Sequence, residues 1–173
     1  GGRNANQGGA VRRMGLINKI RAEESNVLLL DSGDIFQGTP YFNFFAGELE
    51  MKLMSQMGYD AATIGNHDFD AGMENLATQM GHANFPMLTA NYDFKGTPLA
   101  GMTQPYKVFN KAGIKVGVFG LGIQLSGMVP DELYGNTEYL DPLACGNETA
   151  RVLRHKEKCD LVICLSHLGY QYR

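Results

Sequence analysis

Three apolar runs in this chain end in the same way, and that repetition limits what it can fold into. Val27-Leu28-Leu29-Leu30 runs into Asp31-Ser32-Gly33-Asp34, Ala61-Ala62-Thr63-Ile64 into Gly65-Asn66-His67-Asp68-Phe69-Asp70, and Leu161-Val162-Ile163-Cys164-Leu165 into Ser166-His167-Leu168-Gly169. A short apolar run closed by glycine and polar residues reads as a strand buried on both faces. Strands of that kind belong to open α/β sheets, which keep their sites beyond the strand ends. The second run is the densest, with an amide, an imidazole and two carboxylates in six residues. There Asp70 can hold one ring nitrogen of His67 and direct the other outward. The plainer alternative is an Asx-rich strand-to-helix turn with Asp68 or Asp70 as an N-cap.

Carboxylate, amide and imidazole thus arrive at three matching strand ends. Donors of this kind suit Mg, Mn, Zn or a similar ion, and an aspartate can bridge two of them. The three cysteines, Cys145, Cys159 and Cys164, show no metal-ligand spacing. All three read as free, with Cys164 a small buried residue in its strand. A Cys145 to Cys159 disulfide is the alternative.

In chain order, Gly1 to Ala10 has the composition of a loop, and Val11 to Ala22 reads as an amphipathic helix with Val11, Met14, Ile17 and Ile20 on its apolar face. Further helices are expected over Gly47 to Met57, Gly72 to Gly81 and Leu143 to Lys158, with methionines filling gaps in the core. The strands Val27 to Asp31, Tyr59 to Ile64, Phe85 to Ala90 and Leu161 to Leu165 are expected to share one largely parallel sheet. The hairpin around Asn110-Lys111-Ala112-Gly113 leads toward a second sheet. Tyr41 to Phe45 is either a base-stacking platform or core packing of an incoming helix, and packing is the simpler reading. Gly122 to Pro142 reads as a surface excursion. His82 and His155, each near a helix C-terminus, read as surface residues.

The motifs Gly33-Asp34-Ile35-Phe36-Gln37-Gly38, Gly65-Asn66-His67-Asp68-Phe69-Asp70 and Ser166-His167-Leu168-Gly169, with Gly8-Gly9-Ala10-Val11-Arg12-Arg13 before them, resemble the 5'-nucleotidase branch of the calcineurin-like dinuclear metallophosphatases. The resemblance runs the length of the chain. It implies an α/β fold, part of a four-layer αββα sandwich with a mostly parallel sheet and helices on its outer face, residues 1–173 forming a single partial domain. It also implies Asp34, Asn66 and His167 as metal ligands, with Asp34 bridging two divalent ions (Zn, Mn, Mg or similar), and His67 with Asp70 as a catalytic dyad acting on a phosphate ester such as a nucleotide.

In the family an Asp-x-His strand precedes the position of Gly1 and a Gly-His segment follows that of Arg173, both carrying ligands. These 173 residues are therefore expected to hold at most one ion, weakly, and to be inactive alone. The resemblance further implies a C-terminal substrate-binding domain outside this sequence and a periplasmic or extracellular-surface location. A non-catalytic nucleotide- or metal-binding module of the same fold is the competing reading.

At 44% hydrophobic and 19% charged, 173 residues are enough for one domain with a real core. A formal charge of -3 gives no basic stripe for a nucleic-acid polymer. No apolar stretch reaches the length of a membrane span, and the first residues do not read as a leader.

Overall fold

The computed structural model describes residues 7–169; Gly1 to Asn6, most of the expected N-terminal loop, and Tyr170 to Arg173 lie outside the described residues. Helix α1 (Ala10–Glu23) comes first, followed by β1 (Leu30–Asp31), α2 (Pro40–Phe45), α3 (Glu48–Met57), β2 (Ala61–Ala62), a 3-10 turn (His67–Phe69), α4 (Met73–Met80) and β3 (Met87–Leu88). Then follow β4 (Tyr92–Asp93), β5 (Thr103–Gln104), β6 (Tyr106–Lys111), β7 (Ile114–Leu121), α5 (Asp131–Tyr134), β8 (Glu138–Tyr139), α6 (Pro142–His155) and β9 (Leu161–Ser166). No helix here is long and apolar enough to cross a membrane, among the described residues.

Alternation along the strands builds four layers. In the all-parallel sheet β1-β2-β3-β5, Ala62 and Met87 face Ile17, Met51, Met54 and Leu76 of α1, α3 and α4. Their chain neighbours Ala61 and Leu88 face the other way, onto Val116, Val118 and Leu165 of a second sheet, β6-β7-β9. That sheet in turn packs Phe119 and Leu121 on Leu153 of α6. The order helix, sheet, sheet, helix is the αββα sandwich expected.

The two sheets come very close at Gly120, where an added Cβ would lie 2.0 Å from the Leu88 carbonyl oxygen and 2.4 Å from Thr63 Oγ1. Only a residue without a side chain fits there. Beyond it, buried Asn91 ties the sheets together: its amide donates to the Gly122 carbonyl at 2.8 Å, and its oxygen accepts the Gly122 N–H at 2.8 Å.

Several expectations need correction. The strand Leu161 to Leu165 does not join β1, β2 and β3; β9 lies parallel to β7 in the second sheet, in register from Val116 with Leu161 to Leu121 with Ser166. The β6-β7 hairpin supplies that partner, and α6 is the crossover a parallel neighbour requires. The strands of the first sheet are also shorter than read. The Leu29 N–H donates to the Asp60 carboxylate at 2.8 Å, so a side chain takes over where the ladder was expected.

In α2 only Phe42 is buried, whereas Tyr41, Phe44 and Phe45 are exposed, Phe44 by 80%. Those three share one helical face by spacing, and that face looks outward. On α1, Val11 and Ile20 likewise stay exposed and Ile17 alone is buried. The helix is docked instead by Arg21, whose guanidinium donates to the carbonyls of Met57 and Gly58 at the end of α3. The segment 122–142 is no plain excursion, since it buries Leu125 and Val129 and pairs β8 antiparallel with β4. Cys164 is exposed, not buried; Cys145 and Cys159 are free, as is Cys164. His82 and His155 are exposed, as read.

Candidate metal centre

The ends of β1 and β2 in the first sheet and of β9 in the second bring Asp34, Asn66 and His167 together. The loop after β1 begins as an Asx turn, with the Gly33 N–H donating to Asp31 Oδ1 at 3.0 Å. It then turns sharply at Asp34, whose φ of 57° is left-handed, a conformation aspartate tolerates better than most residues. Asp34 divides its carboxylate. Oδ1 accepts the main-chain N–H of His67 at 2.9 Å, and Oδ2 stands 3.3 Å from His167 Nε2.

His167 is oriented from behind. Its Nδ1 lies 2.7 Å from the Ser32 carbonyl oxygen, which can only accept, so the neutral ring carries its proton there and presents a lone pair on Nε2. That lone pair meets Asp34 Oδ2 at 3.3 Å and Asn66 Oδ1, also at 3.3 Å. With the ring neutral, Nε2 joins Asp34 Oδ2 and Asn66 Oδ1 as a set of nitrogen and oxygen donors of the types that suit a borderline or hard divalent ion. Among the described residues no cluster of three or more His, Cys, Asp and Glu side chains could hold a metal. The convergence here is two of those types plus an amide.

Gly65 makes the approach possible. A Cβ on it would lie 2.2 Å from Asp34 Oδ1, 2.5 Å from the Asp34 nitrogen and 2.8 Å from His167 Cε1. Gly65→Ala should therefore push two donors apart. We expect a loss of about 1–3 kcal/mol from overpacking, read by denaturant unfolding, together with weakened metal uptake. A variant of wild-type stability and metal content would contradict this placement.

His67 stands at the edge of the centre with half of its side chain exposed. Its Nδ1 is 2.9 Å from Asp70 Oδ2, so Nε2 is left to face outward, as read from the sequence. The hydrogen bond that Nδ1 donates to Asp70 raises the imidazole pKa above its ordinary value, against a smaller opposing effect of burial.

Asp68 is the residue that sequence reasoning missed. It is fully buried and caps nothing, for the 3-10 turn has no side-chain cap. Its carboxylate instead accepts four main-chain N–H groups, from Ile35 at 2.8 Å and Phe36 at 3.1 Å on Oδ1, and from Gly65 at 2.7 Å and Asp34 at 3.1 Å on Oδ2. Burial pushes its carboxyl up to about 6, with the N–H donors pulling the other way. The partners are backbone groups more than thirty residues away for three of the four bonds, which no local pattern displays.

A four-layer αββα domain in which Asp34, Asn66 and His167 meet at the strand ends is an architecture of the metallophosphatase type. The calcineurin-like phosphoesterase family matches residues 6–172, and the chain belongs to that family. It is 38% identical over 167 residues to a 5'-nucleotidase of Vibrio cholerae, covering 94% of this chain and 30% of that protein. It is 46% identical over 117 residues to a snake venom 5'-nucleotidase of Gloydius brevicauda, covering 65% of this chain and 20% of that one. Among solved structures, the 5'-nucleotidase precursor of Thermus thermophilus superposes with a TM-score of 0.87 at 34% identity, over 94% of this chain and 32% of that chain. The NAD nucleotidase of Haemophilus influenzae superposes at 0.82 with 30% identity, again over 94% of this chain and 32% of that one. The chain thus spans less than a third of the length of these relatives.

Proposed function

We propose that this domain holds divalent cations and hydrolyses a nucleotide or related phosphate ester, as the metal-carrying part of a 5'-nucleotidase-type enzyme. The observation that carries the reading is that His167 Nε2 stands 3.3 Å from both Asp34 Oδ2 and Asn66 Oδ1, so a carboxylate, an amide oxygen and an imidazole nitrogen meet at three strand ends. Calcineurin-like phosphoesterases use divalent metals, and Zn, Mn or Mg would each accept these donors. Asp34, Asn66 and His167 would hold one ion, and Asp34 would serve a second as a bridge. When bound, such ions polarise phosphoryl oxygens and lower the pKa of water.

The remaining chemistry falls to His67. With Nδ1 engaged by Asp70, its Nε2 is free to donate to a phosphoryl oxygen, and the raised imidazole pKa favours the protonated form that donates best. A cavity of about 920 Å³ reaches Asp34 from the side of α1 and α3, with Arg12, Arg13, Leu49 and Met54 among its walls; Asn66, His67 and His167 do not line it. Choice of nucleoside would rest with a C-terminal domain of the longer protein, and an exported location, periplasmic or cell-surface, fits the nucleotidase reading.

The test is phosphate release from a panel of nucleotides by the intact protein, metal-loaded and then chelated. Release that depends on metal supports the reading, and nucleotide binding without release would favour a non-catalytic module. Residues 1–173 alone should release phosphate near background, because their described donors suffice for one ion and not for a clamp on both reacting oxygens. Robust turnover by that segment, with contaminating phosphatase excluded, would overturn this expectation.

A further inference from the structure

We propose that Asp68 is the positioning residue of the centre, fixing the distance between the loop that carries Asp34 and the turn that carries Asn66. The proposal rests on the metal reading above and extends it, since Asp68 donates to no ion. Oδ2 alone spans both pieces, taking the Gly65 N–H at 2.7 Å, one residue before Asn66, and the Asp34 N–H at 3.1 Å. Oδ1 gathers the next two N–H groups of the same loop, from Ile35 and Phe36. The left-handed turn at Asp34 aims these successive N–H groups at one point, as in anion-binding nests, and the side chain of Asp68 fills that point.

Each loop is thereby referred to a single rigid carboxylate. The carboxylate of Asp34 in turn accepts the His67 N–H at 2.9 Å, which closes a ring of hydrogen bonds around the two strand ends. Asp68 is fully buried, so its carboxylate is held by these N–H groups and not by bulk solvent. The donors that it positions belong to the first sheet, and the third, His167, is referred to the same loop through the Ser32 carbonyl.

Acceptor count separates this role from simple packing. Asp68→Asn keeps the shape but offers one acceptor oxygen, and its NH2 would face two N–H groups. Asp68→Glu keeps both oxygens and adds a methylene to a filled space. Packing alone ranks the isosteric Asn variant above the larger Glu variant, whereas positioning ranks Glu above Asn.

The experiment measures Zn2+ affinity of the intact protein by competition with a chromophoric chelator, and amide hydrogen exchange of the metal-free protein at Gly65 and Ile35. Asp68→Asn should weaken Zn2+ about 10–100-fold, the usual cost of losing a group that orients metal ligands, and should speed exchange at both amides. Asp68→Glu should keep most of the affinity. If Asp68→Asn does not fold, Asp68→Glu decides: a folded Glu variant that loses Zn2+ as fully as Asn66→Ala overturns the proposal. Unchanged exchange in Asp68→Asn overturns it with the metal reading intact. Zn2+ binding untouched by Asp34→Asn would instead overturn the metal reading, and this proposal with it.

Discussion

Asn66→Ala and Asp34→Ala should each strip metal and phosphate release together in the intact protein, Asp34 most. Asn66 contributes one oxygen to the centre, at 3.3 Å from His167 Nε2. Asp34 contributes Oδ2 to the centre and, with Oδ1, anchors the His67 N–H at 2.9 Å. Its loss removes a charged donor and frees the turn that carries Asn66. Alanine at position 34 would also be strained, because φ is 57° there. Asp34→Asn is the cleaner partner, since asparagine tolerates the left-handed region and keeps an acceptor for the His67 N–H while losing the charge. Both variants should fall by at least ~10²-fold in affinity or turnover, beyond the loss typical of a group that merely orients a ligand. Metal analysis beside phosphate release reads the two together. Activity lost from either variant at full metal content would remove Asp34 or Asn66 from the ligand set.

The fold class and the convergence of Asp34, Asn66 and His167 were both legible in the sequence, and the placement of individual strands was not. Asp34, Asn66, His67, Asp70 and His167 each sit at the end of an apolar run, and the end of a buried strand is where polar side chains can converge. That His67 pairs with Asp70 could be read from spacing, because three residues apart on a helical turn brings side chains together. Which sheet holds β9 could not be read, since an apolar run carries no mark of its neighbour and the β6-β7 hairpin decides it. The aromatic run Tyr41 to Phe45 misled because hydrophobic character rules out neither face of a short helix, and this one turns Tyr41, Phe44 and Phe45 to solvent. Asp68 was hidden for a related reason. A buried carboxylate whose partners are backbone N–H groups of a distant loop has no signature in residue types, and in sequence it looks like an N-cap.

His67→Ala should leave bound metal nearly intact and lower turnover by about 10²–10⁴-fold, the range for a general acid or an electrostatic donor. The geometry separates the two functions of this residue. Its contribution to the centre is its main-chain N–H on Asp34 Oδ1, at 2.9 Å, which alanine keeps. Its imidazole is not within the meeting of Asp34, Asn66 and His167; Nδ1 is held by Asp70 at 2.9 Å and half of the side chain is exposed. Removing the ring should therefore spare the ligands and cost only the donor to the phosphoryl group. Asp70→Asn should give a smaller loss of the same kind, because an amide oxygen can still accept from Nδ1 while the charge that favours the imidazolium is gone. The two defects should be far from additive, since with the ring absent Asp70 has nothing left to orient. Steady-state rates for the two single variants and the double variant, with metal content for each, complete the cycle. A His67→Ala protein that had lost its metal would make His67 a ligand and end its assignment as the donor; additive losses would separate Asp70 from it.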